Sequence, residues 1–380
     1  MAENNVKMEI GGAKVEAHGE GNFCLEAAKV FMSSYVTLQR GDLMSVAVMR
    51  MRNEQVKLRD VVEGNGVDWD VVAIYDDAGI PSIMHRFRRV TNAELFGGSA
   101  KTHPAFIIGG KEYREIYISA YLNTEINGKP YSLPYMKPWV GITNDEAAQA
   151  CFSKGKGWHM LTAAERGLLA NTSLKLGTLP HGNTASGKYH ANPEEMGTLY
   201  DSCHTLTGSG PATWTHDHKP TGVHDLCGNV CEMVRGLRIK NGFLEAAKDN
   251  DAATDIDLTA AGDNWQKITD NSGKPVRVSV DECDHITITS AEGELGNGYA
   301  GAAWKNVDID CESERMKELA LYAEEPDAYF YADSTDGEYL PICGGYWSSA
   351  ASAGVFYVYL NYPRSYSGGN LGFRSAFCKL

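Results

Sequence analysis

The last stretch of the chain most narrows what it can fold into. From Gly344 to Cys378, 35 residues, there is no Asp, Glu or Lys, and Tyr, Ser, Gly and Asn supply 19 of them. Inside it, Phe356, Val358 and Leu360 alternate with Tyr357, Tyr359 and Asn361. A strand places two such sets on opposite faces, so the spacing predicts one face on a core and one presenting tyrosines outward. An ordinary half-buried strand before a glycine-rich loop would satisfy the alternation alone. The palette adds to it: Tyr gives large contact area with few rotatable bonds, and Ser, Gly and Asn adapt, as in antibody binding loops.

The rest of the composition sets bounds. At 380 residues about two domains are expected, and 43% hydrophobic with 22% charged residues is enough for a sizeable core. A net charge of −14 argues against nucleic acid as partner, because that affinity comes from neutralising phosphates. The basic run His85 to Arg89 reads as a solvated strand face. The first residues carry neither a basic nor an apolar leader pattern, so no signal peptide is expected, and no apolar run is long enough for membrane insertion. Nine scattered cysteines favour reduced thiols over a disulfide framework.

Residues 1–95 read as a β-rich segment, with strand-length apolar runs at Leu43 to Met49 and Val71 to Tyr75 and a turn at Asp76 to Gly79. Thr143 to Glu146 and Thr162 to Glu165 are capping boxes that predict two helices. Residues 240–340 look like an insertion of short strand-like runs in acidic, polar sequence. Within it, Asp249, Asp251, Asp255 and Asp257 miss the EF-hand spacing and read as a solvated acidic loop. Thr215-His-Asp-His218 reads as polar loop residues rather than metal ligands.

Several blocks, in order, resemble the formylglycine-generating-enzyme branch of the C-type-lectin fold. They are Val140 to Cys151, Trp158 to Glu165, Thr221 to Glu232 (the family's "GLYDMAGNVWEW"), Gly344 to Trp347 ("GGSW") and Asn370 to Arg374 ("NLGFR"). The resemblance implies an α+β, C-type-lectin-like domain over 96–380 behind the N-terminal β-rich segment. With His103 to Ile107 and Thr207 to Trp214, the chain is more closely similar to the variable proteins of diversity-generating retroelements. In that group a template is miscopied at adenines. Randomising the first two bases of AAC can give Tyr, Ser, Gly, Asn or Ala, among others, but never Lys, Glu, Gln, Met or Trp, so Trp347 would be fixed.

The resemblance therefore implies a hypervariable region at 344–378. Its ligand-binding positions would be Tyr346, Ser348, Ser349, Ser352, Tyr357, Tyr359, Asn361, Tyr362, Tyr366, Gly368, Gly369 and Asn370. The expected partners are a cell-surface protein or glycan receptor and phage tail components, with a homo-oligomer as an option for multivalent display. The expected location is a phage virion, or alternatively a bacterial cell surface. An enzyme is not expected, because the oxidase branch needs two cysteines between its terminal blocks and Gly345 to Arg374 has none. No cofactor is required. The family's calcium site maps onto Asp225, Gly228, Val230 and Glu232, which could equally order a turn by hydrogen bonds. On this reading Tyr357→Ala and Tyr359→Ser change stability by less than about 0.5 kcal/mol, and Phe356→Ala costs about 3–5 kcal/mol.

Overall fold

Alternating apolar runs broken by glycine turns give a chain of mostly short strands. The computed structural model describes residues 4–10, 13–19, 71–77, 79–322 and 328–380. The run Leu43 to Met49 lies outside the described residues. The architecture is α+β with strands predominating.

Both capping boxes form. Thr143 and Thr162 each accept from the backbone of Glu146 and Glu165, whose carboxylates reach back, opening helices Asn144–Phe152 and Ala163–Leu176. The first buries Ala147, Ala148 and Cys151. The second is buried along almost its whole first two turns, and a methyl group on Gly167 would meet the Glu318 carbonyl oxygen at 1.9 Å. Only glycine lets the helix Glu314–Glu318 lie that close.

Asn4–Ile10 and Ala13–Gly19 pair as an antiparallel hairpin. Val71–Tyr75 and Pro81–Arg88 form the hairpin predicted around Asp76 to Gly79, with Gly79 in the left-handed region. That hairpin does not stay with the N-terminal segment. Pro81–Arg88 pairs with Glu115–Ser119, which pairs with Ser375–Phe377 and then Trp158–Met160, giving one antiparallel five-stranded sheet. The division expected near residue 95 thus cuts through a sheet whose other three strands are Glu115–Ser119, Trp158–Met160 and Ser375–Phe377.

The 240–340 stretch is likewise no detached excursion. Its strands make up most of a twelve-stranded sheet in which Gly354–Tyr362 is central. That strand pairs in parallel with Tyr329–Asp333 on one side and antiparallel with Glu338–Gly344 on the other. Beneath it lie Phe356 and Phe330, both fully buried, with Trp304 stacked on Phe330 at 4.5 Å. The Trp304 indole donates to the Phe356 carbonyl at 2.8 Å, pinning the strand to the core.

Candidate binding surface

The alternation in the terminal strand holds over most of its length. Phe356, Val358 and Leu360 are buried, while Tyr359 and Asn361 are half-buried. The expectation fails at Tyr357, which is only 4% exposed. Register explains it: Cys343 pairs with Val358 but Gly344 pairs with Gly354, so residues 355–357 bulge from the ladder. The Arg166 guanidinium donates to the Val355 and Leu226 carbonyls at 3.1 and 3.0 Å and holds the bulge inward. Tyr357 lies under Tyr331 and Tyr359, with ring centroids at 5.7 and 6.3 Å.

Above Tyr357 the rings run on as a seam. Tyr331 meets Tyr359 at 4.4 Å, Tyr359 meets Tyr362 at 5.0 Å, and Tyr362 stacks on Tyr366 at 3.9 Å. The Tyr299 and Tyr359 hydroxyls are 2.6 Å apart, and Tyr329 stacks beside Tyr331 at 5.8 Å. Most of these separations favour attraction between aromatic quadrupoles. Burial, then the neighbouring phenols, pushes Tyr299, Tyr331 and Tyr362 up in pKa. Their hydroxyls therefore stay protonated at neutral pH and can both donate and accept.

Tyr299, Tyr329 and Tyr331 come from the 240–340 stretch. The signal was present: in Tyr329–Asp333, buried Phe330 and Ala332 alternate with half-buried Tyr329 and Tyr331, as in the terminal strand. That strand supplies two rings of the surface, and Tyr299–Ala303 supplies a third.

The remaining expected positions divide. Tyr346, Ser348, Ser349 and Ser352 occupy the turn before the strand. That turn is stapled by Trp347, whose N–H donates to the Asn229 carbonyl and whose carbonyl accepts from Ser186. The Ser349 hydroxyl accepts from the Tyr346 N–H at 3.0 Å, so it shapes the turn itself. Gly368 would bring a methyl group to 2.9 Å from the Asn370 side chain and 3.2 Å from the Tyr366 hydroxyl. Gly369 is exposed with open space around it and accepts any side chain. Ser348 is exposed at the far end of the turn.

The two arginines of the segment are consumed internally. Arg364 donates to Asp145 at 2.7 Å and to both oxygens of Glu338 at 2.8 and 3.0 Å. Arg374, fully buried, donates to the Ser119 and His224 carbonyls at 2.9 and 2.8 Å and grips both oxygens of Glu232. The tyrosine seam thus carries no charge of its own.

That arrangement bears on the mapped calcium positions. Both Glu232 oxygens are taken by Arg374, and Asp225 accepts the Gly208 N–H at 2.8 Å. A cation would meet the guanidinium rather than a vacant carboxylate, so Asp225, Gly228, Val230 and Glu232 do not fit as a calcium ligand set. Burial raises the Asp225 carboxyl to about 6. The "NLGFR" and "GNVCE" blocks meet here: Cys231–Met233 pairs in parallel with Leu371–Phe373, and Arg374, just past that strand, forms a buried, bidentate ion pair with Glu232.

His216 and Asp217 gather with His85 inside the core, whereas His218 hydrogen-bonds the Leu179 carbonyl at 3.0 Å. Nδ1 of His216 accepts the Val223 N–H at 2.9 Å, so its proton sits on Nε2 and that nitrogen has no lone pair for a metal. Asp251 accepts the Gly109 N–H and Asp257 the Thr259 N–H, which makes them loop-shaping residues. The thiols flanking the terminal segment are buried, and burial pushes Cys343 up to about 11 and Cys378 up to about 12.

No protein-family model matches the chain, and no curated protein matches it. Among solved structures, PvdO from Pseudomonas aeruginosa is similar with a TM-score of 0.24 and 11% identity, covering 80% of this chain and 97% of that one. A likeness of that size carries no argument about fold or function. No described helix is long and apolar enough to cross a membrane.

Proposed function

We propose that this is a non-enzymatic binding protein that engages a macromolecular receptor on a target cell through the tyrosine seam. The observation that carries the reading is the seam itself: a chain of rings from exposed Tyr299 through half-buried Tyr359 and Tyr362 to half-buried Tyr366, with no charge of its own. Amphipathic aromatic clusters of this kind supply binding hot spots because they lose little side-chain entropy on contact. Sequence resemblance supplies the finer proposal: a C-type-lectin-like scaffold whose 344–378 region is diversified by a retroelement, displayed on a phage tail or a bacterial surface. On that reading the exposed and half-buried positions vary, and Trp347, Phe356, Leu360, Gly372 and Phe373 stay fixed.

Thiol oxidation is the disfavoured alternative. The cysteines beside the segment are buried and held protonated, and a thiol must ionise to act as a nucleophile.

Binding of labelled protein to a panel of bacterial cells and immobilised glycans tests the proposal. The triple variant Tyr359→Ala, Tyr362→Ala, Tyr366→Ala should fold and lose at least tenfold in affinity wherever the parent binds. Equal binding by the two folded proteins moves recognition off this face.

A further inference from the structure

A second site lies beside the base of that surface. Asp201, Cys203 and His204 bring a carboxylate oxygen, a thiol sulfur and an imidazole nitrogen within 4.8 Å of one another. The local sequence Asp-Ser-Cys-His makes this geometry. Asp201 Oδ1 accepts the N–H groups of Cys203 and His204 at 2.9 and 2.7 Å, curling the backbone so that all three side chains leave on one side.

The bonding within the cluster separates two uses of such residues. His204 Nδ1 is 2.9 Å from Asp201 Oδ2 and 3.4 Å from Cys203 Sγ. In a nucleophilic triad the imidazole meets the nucleophile through one nitrogen and its orienting carboxylate through the other. Here both contacts fall on the same nitrogen, so His204 cannot relay a proton between thiol and carboxylate. Three ligand atoms converging on one proton is instead an arrangement in which a metal can replace that proton. The other described group, around His85, differs because the nitrogen of His216 is bound to a backbone N–H that cannot leave.

We propose that Asp201, Cys203 and His204 bind a zinc-class divalent ion through carboxylate oxygen, thiolate sulfur and imidazole Nδ1. Mixed sulfur, nitrogen and oxygen donors suit zinc in tetrahedral geometry, with the fourth position left to water or a ligand. Asp201 keeps 42% of its side chain exposed, which gives the ion a path in. On binding, the thiol loses its proton to solvent as the sulfur–metal bond forms. The neutral imidazole keeps one proton, moved from Nδ1 to Nε2, so one proton is released per ion.

The ion would act on the surface nearby. The His204 ring stacks on Tyr200 at 5.7 Å and meets the Trp347 ring edge-on at 6.0 Å. Trp347 carries the turn that holds Tyr346 and Ser348. A metal on Nδ1 locks this ring and through it the turn.

The test uses the full chain, stripped with chelator and desalted. Zinc chloride is titrated by calorimetry, and cobalt(II) is added separately to look for a thiolate-to-cobalt charge-transfer band. One ion per chain and a cobalt band are expected. Cys203→Ser should abolish the band and weaken zinc at least tenfold, while Cys283→Ser, an exposed thiol elsewhere, should change neither. His204→Gln, judged against circular dichroism for folding, provides a second ligand variant and should also weaken zinc at least tenfold. Zinc should protect Cys203 of the parent from alkylation in a peptide map. No saturable binding, a cobalt spectrum without the band, or equal affinity in Cys203→Ser would each overturn the assignment.

Discussion

Residues 346–370 and residues 371–378 are neighbours in sequence and opposites in construction. Apart from the buried face of its strand, the first stretch makes its side-chain contacts mostly among hydroxyl-bearing, half-buried rings and serines, with Arg364 tied off against Glu338 and Asp145. The second is buried almost throughout, and Arg374 at its centre ties three distant parts of the chain together. A surface built from soft contacts can be altered position by position. A buried ion pair cannot, because each partner depends on the other for its solvation.

The sharpest break in the comparison comes from Arg374→Met. It leaves the Glu232 carboxylate buried without its guanidinium, and a loss of about 3–5 kcal/mol is expected in urea denaturation. The double variant Arg374→Met, Glu232→Leu should recover part of that loss. If the single and double variants are equally stable, the pair does not hold the scaffold.

Tyr357 sits at the boundary between the two regimes, and Tyr357→Ala measures where the boundary runs. Being 4% exposed, it should cost about 3 kcal/mol in thermal or chemical melts, far more than a surface tyrosine. A cost below about 0.5 kcal/mol would restore the sequence expectation and place the ring outside.

Acid sharpens the view of the scaffold. Burial, then nearby Arg315, lowers His103 to about 3. The unfolded chain binds this proton below about 6.5 while the folded protein does not. Stability from His103 is therefore complete above pH 6.5 and is lost as pH falls towards 3. His103→Asn keeps an acceptor for the Ala105 N–H and removes the titration. Between pH 6.5 and 5 the parent should lose about 2 kcal/mol more than this variant. Equal losses would mean that His103 already titrates normally in the fold.

How much of this was legible follows from the range of the interactions. Thr143 and Thr162 announced their helices because a capping box is complete within four residues. The same box at Thr91 to Glu94 opens the helix Asn92–Phe96, a signal equally local. Phe356, Val358 and Leu360 declared the buried face of their strand, since alternation is local. Tyr357 could not be placed that way, because its burial depends on a register shift against Glu338–Gly344 and on Tyr331 from another strand. The partner of Glu232 lies 142 residues away, so its ion pair was hidden, and a mapped metal position stood in its place.

The smallest expected effect is also the cleanest test of the soft half of the comparison. Tyr366 stacks on Tyr362 at 3.9 Å and is half-buried in a loop of Ser, Gly and Asn. Its ring is the last in the seam. Tyr366→Ala forfeits one stacking contact, worth about 0.5–1.5 kcal/mol at most, and much of that is offset because the flexible loop regains freedom. A net stability change near 0.5 kcal/mol is expected in thermal melts. Tyr362 should respond as well: without the second ring its burial falls, and the midpoint of its phenol titration, followed by ultraviolet difference absorption, should move down towards an ordinary tyrosine. A destabilisation above about 2 kcal/mol would show that the loop is packed as tightly as the core. The distinction between an alterable surface and a fixed scaffold would then have no physical basis at this end of the seam.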